Sequence, residues 1–303
     1  GSKVRMRSLI PRRAALATLA TAAMPFRAAA TQRDSFAAAL DRARGFDQLH
    51  SLVVAHEGEV VLSEAMRGPP PDRPVNVKSV SKTVVAALTG IAIARGVVES
   101  PDEPMADLMP RRIPSDADPL VRAITVDHLL TMRAGLERTS GRNYGAWVQS
   151  SNWVADALRQ PFVAEPGGEF LYSTGSFHLL GAALAEASGE SLLTLARRWL
   201  GAPLGIDIPP WTRDPQGFYM GGNNMALSPL GLVRFGEAYR LAGQAGDPGV
   251  IPPGWVEASW TPRTRSPWSG HQYGYGWFLA ETGGERVAYA RGYGGQMLYV
   301  VPS

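Results

Sequence analysis

Ser79 and Lys82 stand three residues apart at the head of a long apolar run, a spacing that puts both side chains on one face of a helix. A serine hydroxyl is a poor nucleophile until a neighbouring base takes its proton. A lysine amine can be that base once burial, a helix N-terminus or a second cation lowers its pKa. The same N-terminus offers free backbone N–H groups, that of Ser79 among them, to an oxyanion forming on a substrate carbonyl. The alternative is structural: Ser79 caps a helix and Lys82 is a solvated first-turn residue. Lysine usage bears on the choice. The chain has 27 arginines but only three lysines, Lys3, Lys78 and Lys82. Arginine keeps its proton and cannot act as a base; where a positive charge suffices this sequence uses Arg, and beside Ser79 it keeps Lys.

The element that must position this pair runs from Val80 to Arg95, nearly all apolar or small, with Gly96 following as a C′ glycine would. A helix apolar on almost every side belongs in the middle of a core. Before it, residues 33–48 read as an amphipathic helix, and Ser51–His56 with Glu59–Glu64 read as a hairpin across a Glu57-Gly58 turn. From Pro101 to about Met225 the texture changes to helices joined by Pro/Gly loops, as in a helical subdomain inserted between two halves of a sheet. There Thr125 caps a short helix ending at Gly135, and Asn152–Arg159 and Phe177–Ala187 are further helices. The adjacent Asp127 and His128 point in different directions on a helix, so a structural role is expected of them rather than a triad. The loop Trp211–Met225 is too apolar to be an idle linker. Ser228-Pro229 then opens a helix through Leu241. Tyr273–Leu279, Arg286–Ala290 and Met297–Val301 read as strands. Gly294-Gly295 beside the last suggests a close backbone approach by a ligand or another segment.

Composition narrows the classes. Residues 1–30 hold six of the 30 Lys and Arg and none of the 27 acids, so the rest carries 24 basic against 27 acidic groups, a net of −3. The sequence pI of about 9.3 therefore belongs to the leader, and nucleic-acid binding is not expected. Gly1–Arg5 read as a tag remnant. Arg7, Arg12 and Arg13, the apolar run Ala14–Met24 and the small residues Ala28–Ala30 have the three parts of an export signal. The paired Arg12-Arg13 fits the twin-arginine route and predicts a periplasmic or secreted protein; a buried amphipathic N-terminal helix is the alternative. The run is too short to span a bilayer, so no stable membrane insertion is expected. There are no cysteines, so neither disulfides nor thiolate metal sites are available, and the five histidines (His50, His56, His128, His178 and His271) lack ligand spacing, so no metal is expected.

Taken in order, Ser79-x-x-Lys82, Tyr172-Ser173-Thr174 and Gly292-Tyr293-Gly294-Gly295 resemble the three active-site boxes of serine β-lactamase-like hydrolases, above all the class C β-lactamase, esterase and 6-aminohexanoate-dimer hydrolase branch. Supporting phrases, from Thr125–Leu136 to Tyr273–Trp277, run through nearly all of the chain after the leader. The resemblance implies an α/β, β-lactamase/transpeptidase-like fold: an antiparallel sheet flanked by helices, with an inserted helical subdomain. It implies one domain over residues 31–303, its α/β part about 33–100 and 226–303 and its helical part about 101–225. It makes Ser79 the acylated nucleophile, Lys82 its base, and Tyr172 the second proton carrier. The oxyanion hole would be the backbone N–H groups of Ser79 and Gln296. Thr174, Asn223, Tyr293, Gly294 and Gly295 would contact substrate. Asn223 or its neighbour Asn224 could equally satisfy loop backbone, and Tyr172 by itself reads as a core aromatic.

Three departures qualify the match. Thr174 stands where the family often has Asn, a shorter group with less reach. Tyr293 replaces the Lys or His that usually starts the third box, leaving no obvious grip on a β-lactam carboxylate. Ser303 closely follows Met297–Val301, where the family continues with a strand and a helix; without them an apolar sheet face is expected to be open. The resemblance thus implies hydrolysis of a small ester or short amide, without cofactor, more than β-lactam cleavage. The other reading is a penicillin-binding-like envelope or peptide-binding protein with weak turnover. The pocket is expected between loops such as Tyr144–Trp147 and Trp211–Asn224, whose aromatic content favours an apolar acyl or aryl group. Oligomeric state is not encoded legibly.

Overall fold

The computed structural model describes residues 36–302. The leader with its paired arginines lies outside them. Chain contacts separate residues up to Phe46 from those beginning at Asp47, and the two parts are described apart. In the first, helix α1 covers residues 36–44 and closes at a turn where the Gly45 N–H donates to the Arg42 carbonyl at 3.1 Å, short of the expected end near residue 48.

The second part opens with the hairpin β1 (Ser51–His56) and β2 (Glu59–Ala65). Glu57 (φ 50°) and Gly58 (φ 84°) both sit in the left-handed region, as a two-residue turn matched to strand twist requires. Strand β3 (Val75–Asn76) then leads to helix α2 (Val80–Ala94), buried continuously from Val80 to Ala92. Gly96 (φ 74°) releases the chain after its last turn. Each aliphatic side chain fully buried here contributes on the order of 1.5–3 kcal/mol, so α2 anchors the core.

Helices α3 (Met105–Leu108), α4 (Val126–Leu130), α5 (Tyr144–Gln149), α6 (Trp153–Leu158), α7 (Thr174–Ser188), α8 (Leu192–Ala196) and α9 (Ala202–Leu204) follow. No named strand occurs among them, as the texture of the sequence predicts. Helix α4 is capped by Thr125 and stops well short of Gly135, because Met132 turns into the left-handed region (φ 59°). Helix α7 begins three residues earlier than expected, which brings Thr174 into its first turn. Strand β4 (Ala226–Leu227) pairs antiparallel with β3 and ties the end of the Trp211–Met225 loop to the residues ahead of Ser79. Helix α10 (Pro229–Leu241) starts at a Ser228 cap, with the Gly231 N–H donating to its hydroxyl at 2.9 Å; α11 (Pro253–Ser259) follows.

The chain closes with a five-stranded antiparallel sheet in sequence order: β5 (Thr264–Arg265), β6 (Gln272–Tyr273), β7 (Phe278–Thr282), β8 (Glu285–Gly292) and β9 (Gln296–Val300). The hairpin β1–β2 does not join it. The expected strand Tyr273–Leu279 is broken at Gly274–Trp277. There Gly276 (φ 78°) lies so close to α2 that a Cβ would come within 2.6 Å of the Ala86 methyl, and its carbonyl accepts from the Thr83 hydroxyl at 2.7 Å. Helix α2 contacts α7 as well as β8 and β9, and at its N-terminal end Lys82 meets Thr174 of α7 while Gly292 of β8 closes on Lys78. Among the described residues no single helix is long and apolar enough to cross a membrane. The pair Thr174–Ser188 and Leu192–Leu204 is long and apolar enough only jointly and is bent by 85°.

Candidate active site

The approach to Ser79 is constrained from both sides. Lys78 adopts φ 50°, uncommon for a residue with a side chain, and such strain costs on the order of 1–3 kcal/mol. It is held by its N–H donating to Asn76 Oδ1 at 2.8 Å and its carbonyl accepting from the Ser81 hydroxyl at 2.6 Å. Behind it a Cβ on Gly292 would collide with the Val77 carbonyl oxygen and come within 3.0 Å of the Lys78 Cβ. The end of β8 therefore presses on the turn that presents the serine, and only glycine leaves room.

Ser79 occupies the N-cap position with helix-like dihedrals, and its side chain makes no capping bond. The hydroxyl instead lies 2.9 Å from Lys82 Nζ. This excludes the reading in which Ser79 merely caps α2. The Ser79 N–H has no partner among the described residues and remains available to a developing oxyanion.

Lys82 is not a solvated first-turn residue. It is 2% exposed, and its Nζ meets Thr174 Oγ1 at 3.2 Å and the Gly222 carbonyl at 2.6 Å besides Ser79. A carbonyl can only accept, so one N–H is committed to Gly222. A neutral amine then gives its second N–H to Thr174 and keeps its lone pair for the Ser79 proton. Burial drives the pKa of Lys82 below its usual value; Tyr172, whose ring centroid is 4.9 Å from Nζ, works the other way by charge and hydrogen bonding. Burial, not a neighbouring cation, is what lowers it.

Thr174 is tied in from α7. Its N–H donates to Ser140 Oγ at 2.7 Å, and the two hydroxyls lie 3.0 Å apart. Short as it is, its hydroxyl reaches Lys82 Nζ. Asn223 gives its amide N–H to the Tyr144 hydroxyl at 3.0 Å, while Asn224 Nδ2 reaches Thr212 Oγ1 at 3.3 Å, so both are held by side chains rather than by loop backbone.

A cavity of about 750 Å³ opens over Ser79, Tyr172, Thr174 and Asn223. Much of its wall is aromatic: Tyr144, Phe170, Trp268, Phe278, Tyr289 and Tyr293. Trp147 and Trp211, expected there, are elsewhere. Trp147 is buried with its Nε1–H donating to the Trp153 carbonyl, and the Trp211 Nε1–H donates to the Met220 carbonyl. Among the described residues Lys78, Arg138 and Arg291 line the cavity and no carboxylate does, so anionic groups can be gripped despite Tyr293. Tyr293 itself is 87% exposed at the hairpin tip.

Gly294 and Gly295 do not line the cavity. At φ 86° and 89°, with open space where a Cβ would stand, they complete with Tyr293 the three-residue turn between β8 and β9. The close approach expected at them occurs at Gly292. Gln296 opens β9 opposite Gly292 in the antiparallel register, outside the cavity wall.

Arg138, Ser140, Trp268 and the sheet residues Phe278 and Tyr289 escaped sequence reasoning. Only the Ser266-Pro267-Trp268-Ser269 run, an exposed tryptophan in a turn-rich loop, carried a usable signal. Asp127 and His128 are structural. Asp127 pairs with Arg133 at 2.9 Å and accepts from the Tyr275 hydroxyl at 2.6 Å, while His128 Nδ1 accepts the Thr125 N–H at 3.1 Å. Among the described residues no cluster of three ligand-type side chains could hold a metal ion.

The sequence profile of the Beta-lactamase family matches residues 50–303. A search of curated proteins finds no match. Similar solved structures include EstCE1, a hydrolase with promiscuous acyltransferase activity, at TM-score 0.73 and 20% identity over 91% of this chain and 92% of that one. A Bacillus anthracis protein assigned as a 6-aminohexanoate-dimer hydrolase superposes at TM-score 0.71 and 18% identity, covering 83% of this chain and 70% of that one. The octameric penicillin-binding protein homologue from Pyrococcus abyssi gives TM-score 0.68 and 20% identity, with 90% and 71% covered. At these identities the likeness establishes the shared fold.

Proposed function

The chain belongs to the Beta-lactamase family, and from that premise we propose that it is a serine hydrolase cleaving a small carboxylic ester or short amide through an acyl-enzyme on Ser79. The observation that carries this reading is the buried Lys82 amine 2.9 Å from an uncapped serine hydroxyl.

Neutral Lys82 takes the Ser79 proton as Oγ attacks the substrate carbonyl carbon. The resulting oxyanion is held by the Ser79 N–H, with the Gln296 N–H as its proposed second donor. As the tetrahedral intermediate collapses, the Tyr172 hydroxyl gives its proton to the leaving oxygen or nitrogen and regains one from the Lys82 ammonium. The acyl group now sits on Ser79 Oγ and the leaving group departs neutral. Water attacks the ester with its proton drawn off along the same route, which restores Ser79 and frees the acid. Thr174 and Gly222 keep the amine aimed at Ser79 throughout. Asn223 and Tyr293 border the cavity where the acyl and leaving groups would rest.

The aromatic wall supports an apolar acyl or aryl group, and the Arg12-Arg13 leader supports export. The reading as a binding protein with weak turnover loses part of its motive, since Thr174 reaches Lys82. A fluorophosphonate probe and a p-nitrophenyl ester assay on wild type and Ser79→Ala test the proposal. Labelling and turnover are expected in the first alone; equal values in both would refute it.

A further inference from the structure

Outside the lining of the cavity, the structure contains a second buried polar pair. The side chains of His178, on α7, and Asp214, in the Trp211–Met225 loop, are both fully buried, with His178 Nε2 2.9 Å from Asp214 Oδ2. The other ring nitrogen, Nδ1, accepts the Gly221 N–H at 3.2 Å. An amide N–H can only donate, so Nδ1 carries no proton; the ring proton is on Nε2 and is donated to Asp214. The second carboxylate oxygen accepts the N–H groups of Gln216 and Phe218, each at 2.9 Å. Edge-on contacts from Trp147 and Trp153, at ring-centroid distances of 5.6 and 5.4 Å, fix the imidazole plane.

The residue after Gly221 is the one whose carbonyl receives Lys82 Nζ at 2.6 Å. His178 also lies one turn beyond Thr174 on the same helix, and Thr174 is the other acceptor holding the amine. The loop lies directly on this turn of α7. A Cβ on Gly221 would collide with the Phe177 carbonyl, and one on Gly222 would come within 2.6 Å of the Thr174 carbonyl oxygen. One α7 turn thus orients Lys82 twice, through Thr174 directly and through His178 by way of the loop.

We propose that His178 and Asp214 are positioning residues that clamp the Gly221–Gly222 carbonyl ledge and so set the rate at which Lys82 activates Ser79, without touching substrate. This rests on the acyl-enzyme reading above. Without the imidazole the Gly221 N–H is a buried orphan donor, and the ledge can relieve it only by moving, which carries the Gly222 carbonyl away from the amine. A displacement near 1 Å at a catalytic group costs up to about 100-fold in rate.

The test compares wild type, His178→Leu, His178→Asn and Asp214→Asn in p-nitrophenyl ester turnover, with folding followed by circular dichroism. His178→Leu keeps bulk but neither bond. His178→Asn retains an acceptor for the Gly221 N–H. For His178→Leu we expect kcat to fall about 10- to 100-fold with KM changed less than about threefold, and His178→Asn to recover much of the loss. Should His178→Leu fail to fold, Asp214→Asn, which keeps the carboxylate's shape, decides by the same split. Folded variants with wild-type kcat, or with the whole loss in KM, overturn the proposal. Wild type without turnover or labelling at Ser79 would instead overturn the hydrolase reading.

Discussion

Lys82 Nζ lies 2.9 Å from the Ser79 hydroxyl while that hydroxyl makes no bond to the helix it heads, so the shortest polar path from the serine leads to an amine sealed from water. The helix positions both groups one turn apart, and Thr174 of α7 and the Gly222 carbonyl close over the amine. The lowered pKa of this amine is therefore a product of the whole fold.

Removing one of the amine's acceptors should weaken it modestly. Thr174→Val preserves shape but deletes the hydroxyl 3.2 Å from Nζ. A neutral hydrogen bond is worth about 1 kcal/mol net, so acylation should slow by roughly 5- to 10-fold with KM nearly constant. Stopped-flow release of p-nitrophenol reads this directly.

Burial of Lys82 also has a signature in stability. Its folded pKa is lowered from 10.5, so between that lowered value and 10.5 the unfolded chain binds more protons than the native one, and stability rises with pH. The slope approaches about 1.4 kcal/mol per pH unit where the group is neutral when folded and charged when unfolded. Lys82→Met should abolish this part of the rise. Denaturant melts from about pH 7 to about pH 9.5 check it, below the range where Tyr239, pushed up to about 12, adds the opposite slope.

Helix α2 should resist a change that ordinarily favours helices. Gly90→Ala gains up to about 1 kcal/mol in propensity, yet the new methyl would overlap the Trp255 indole ring, whose Nε1–H donates to the Ala86 carbonyl at 3.1 Å. Overpacking of this kind costs about 1–3 kcal/mol, so a net loss of stability is expected, read as a lower urea midpoint at unchanged m.

Among the described residues three cations line the cavity and no carboxylate does, which makes charge a discriminator among substrates. An aryl ester bearing a carboxylate should exceed its neutral isostere in kcat/KM, by an amount that shrinks as salt rises. In the double variant Arg138→Gln, Arg291→Gln that preference should largely vanish while the neutral ester reacts as before.

Local chemistry was legible in the sequence wherever one residue type was compulsory. The apolar run Val80–Arg95, the Thr125 and Ser228 caps and the Glu57-Gly58 turn all announce elements that the fold contains. The pairing of Ser79 with Lys82 was legible too, because helical spacing fixes it. Long-range packing was not. Gly274 and Gly276 interrupt a strand pattern because of what lies behind them in α2 and at Ser259, which no local window contains. For the same reason the close backbone approach was sought at Gly294-Gly295 and found at Gly292. His178 looked like one of five scattered histidines, since its partners Asp214 and Gly221 lie 36 and 43 residues away.

The rate of Ser79 labelling by a fluorophosphonate as a function of pH, in wild type and in Lys82→Arg, tests the central claim most directly. A buried, neutral Lys82 predicts an acid limb in wild type well below the ordinary lysine pKa of 10.5, and no labelling of the folded Lys82→Arg protein at any pH, since arginine keeps the charge but cannot take the proton. Labelling of wild type that rises only near pH 10, or of Lys82→Arg at the wild-type rate, would contradict it.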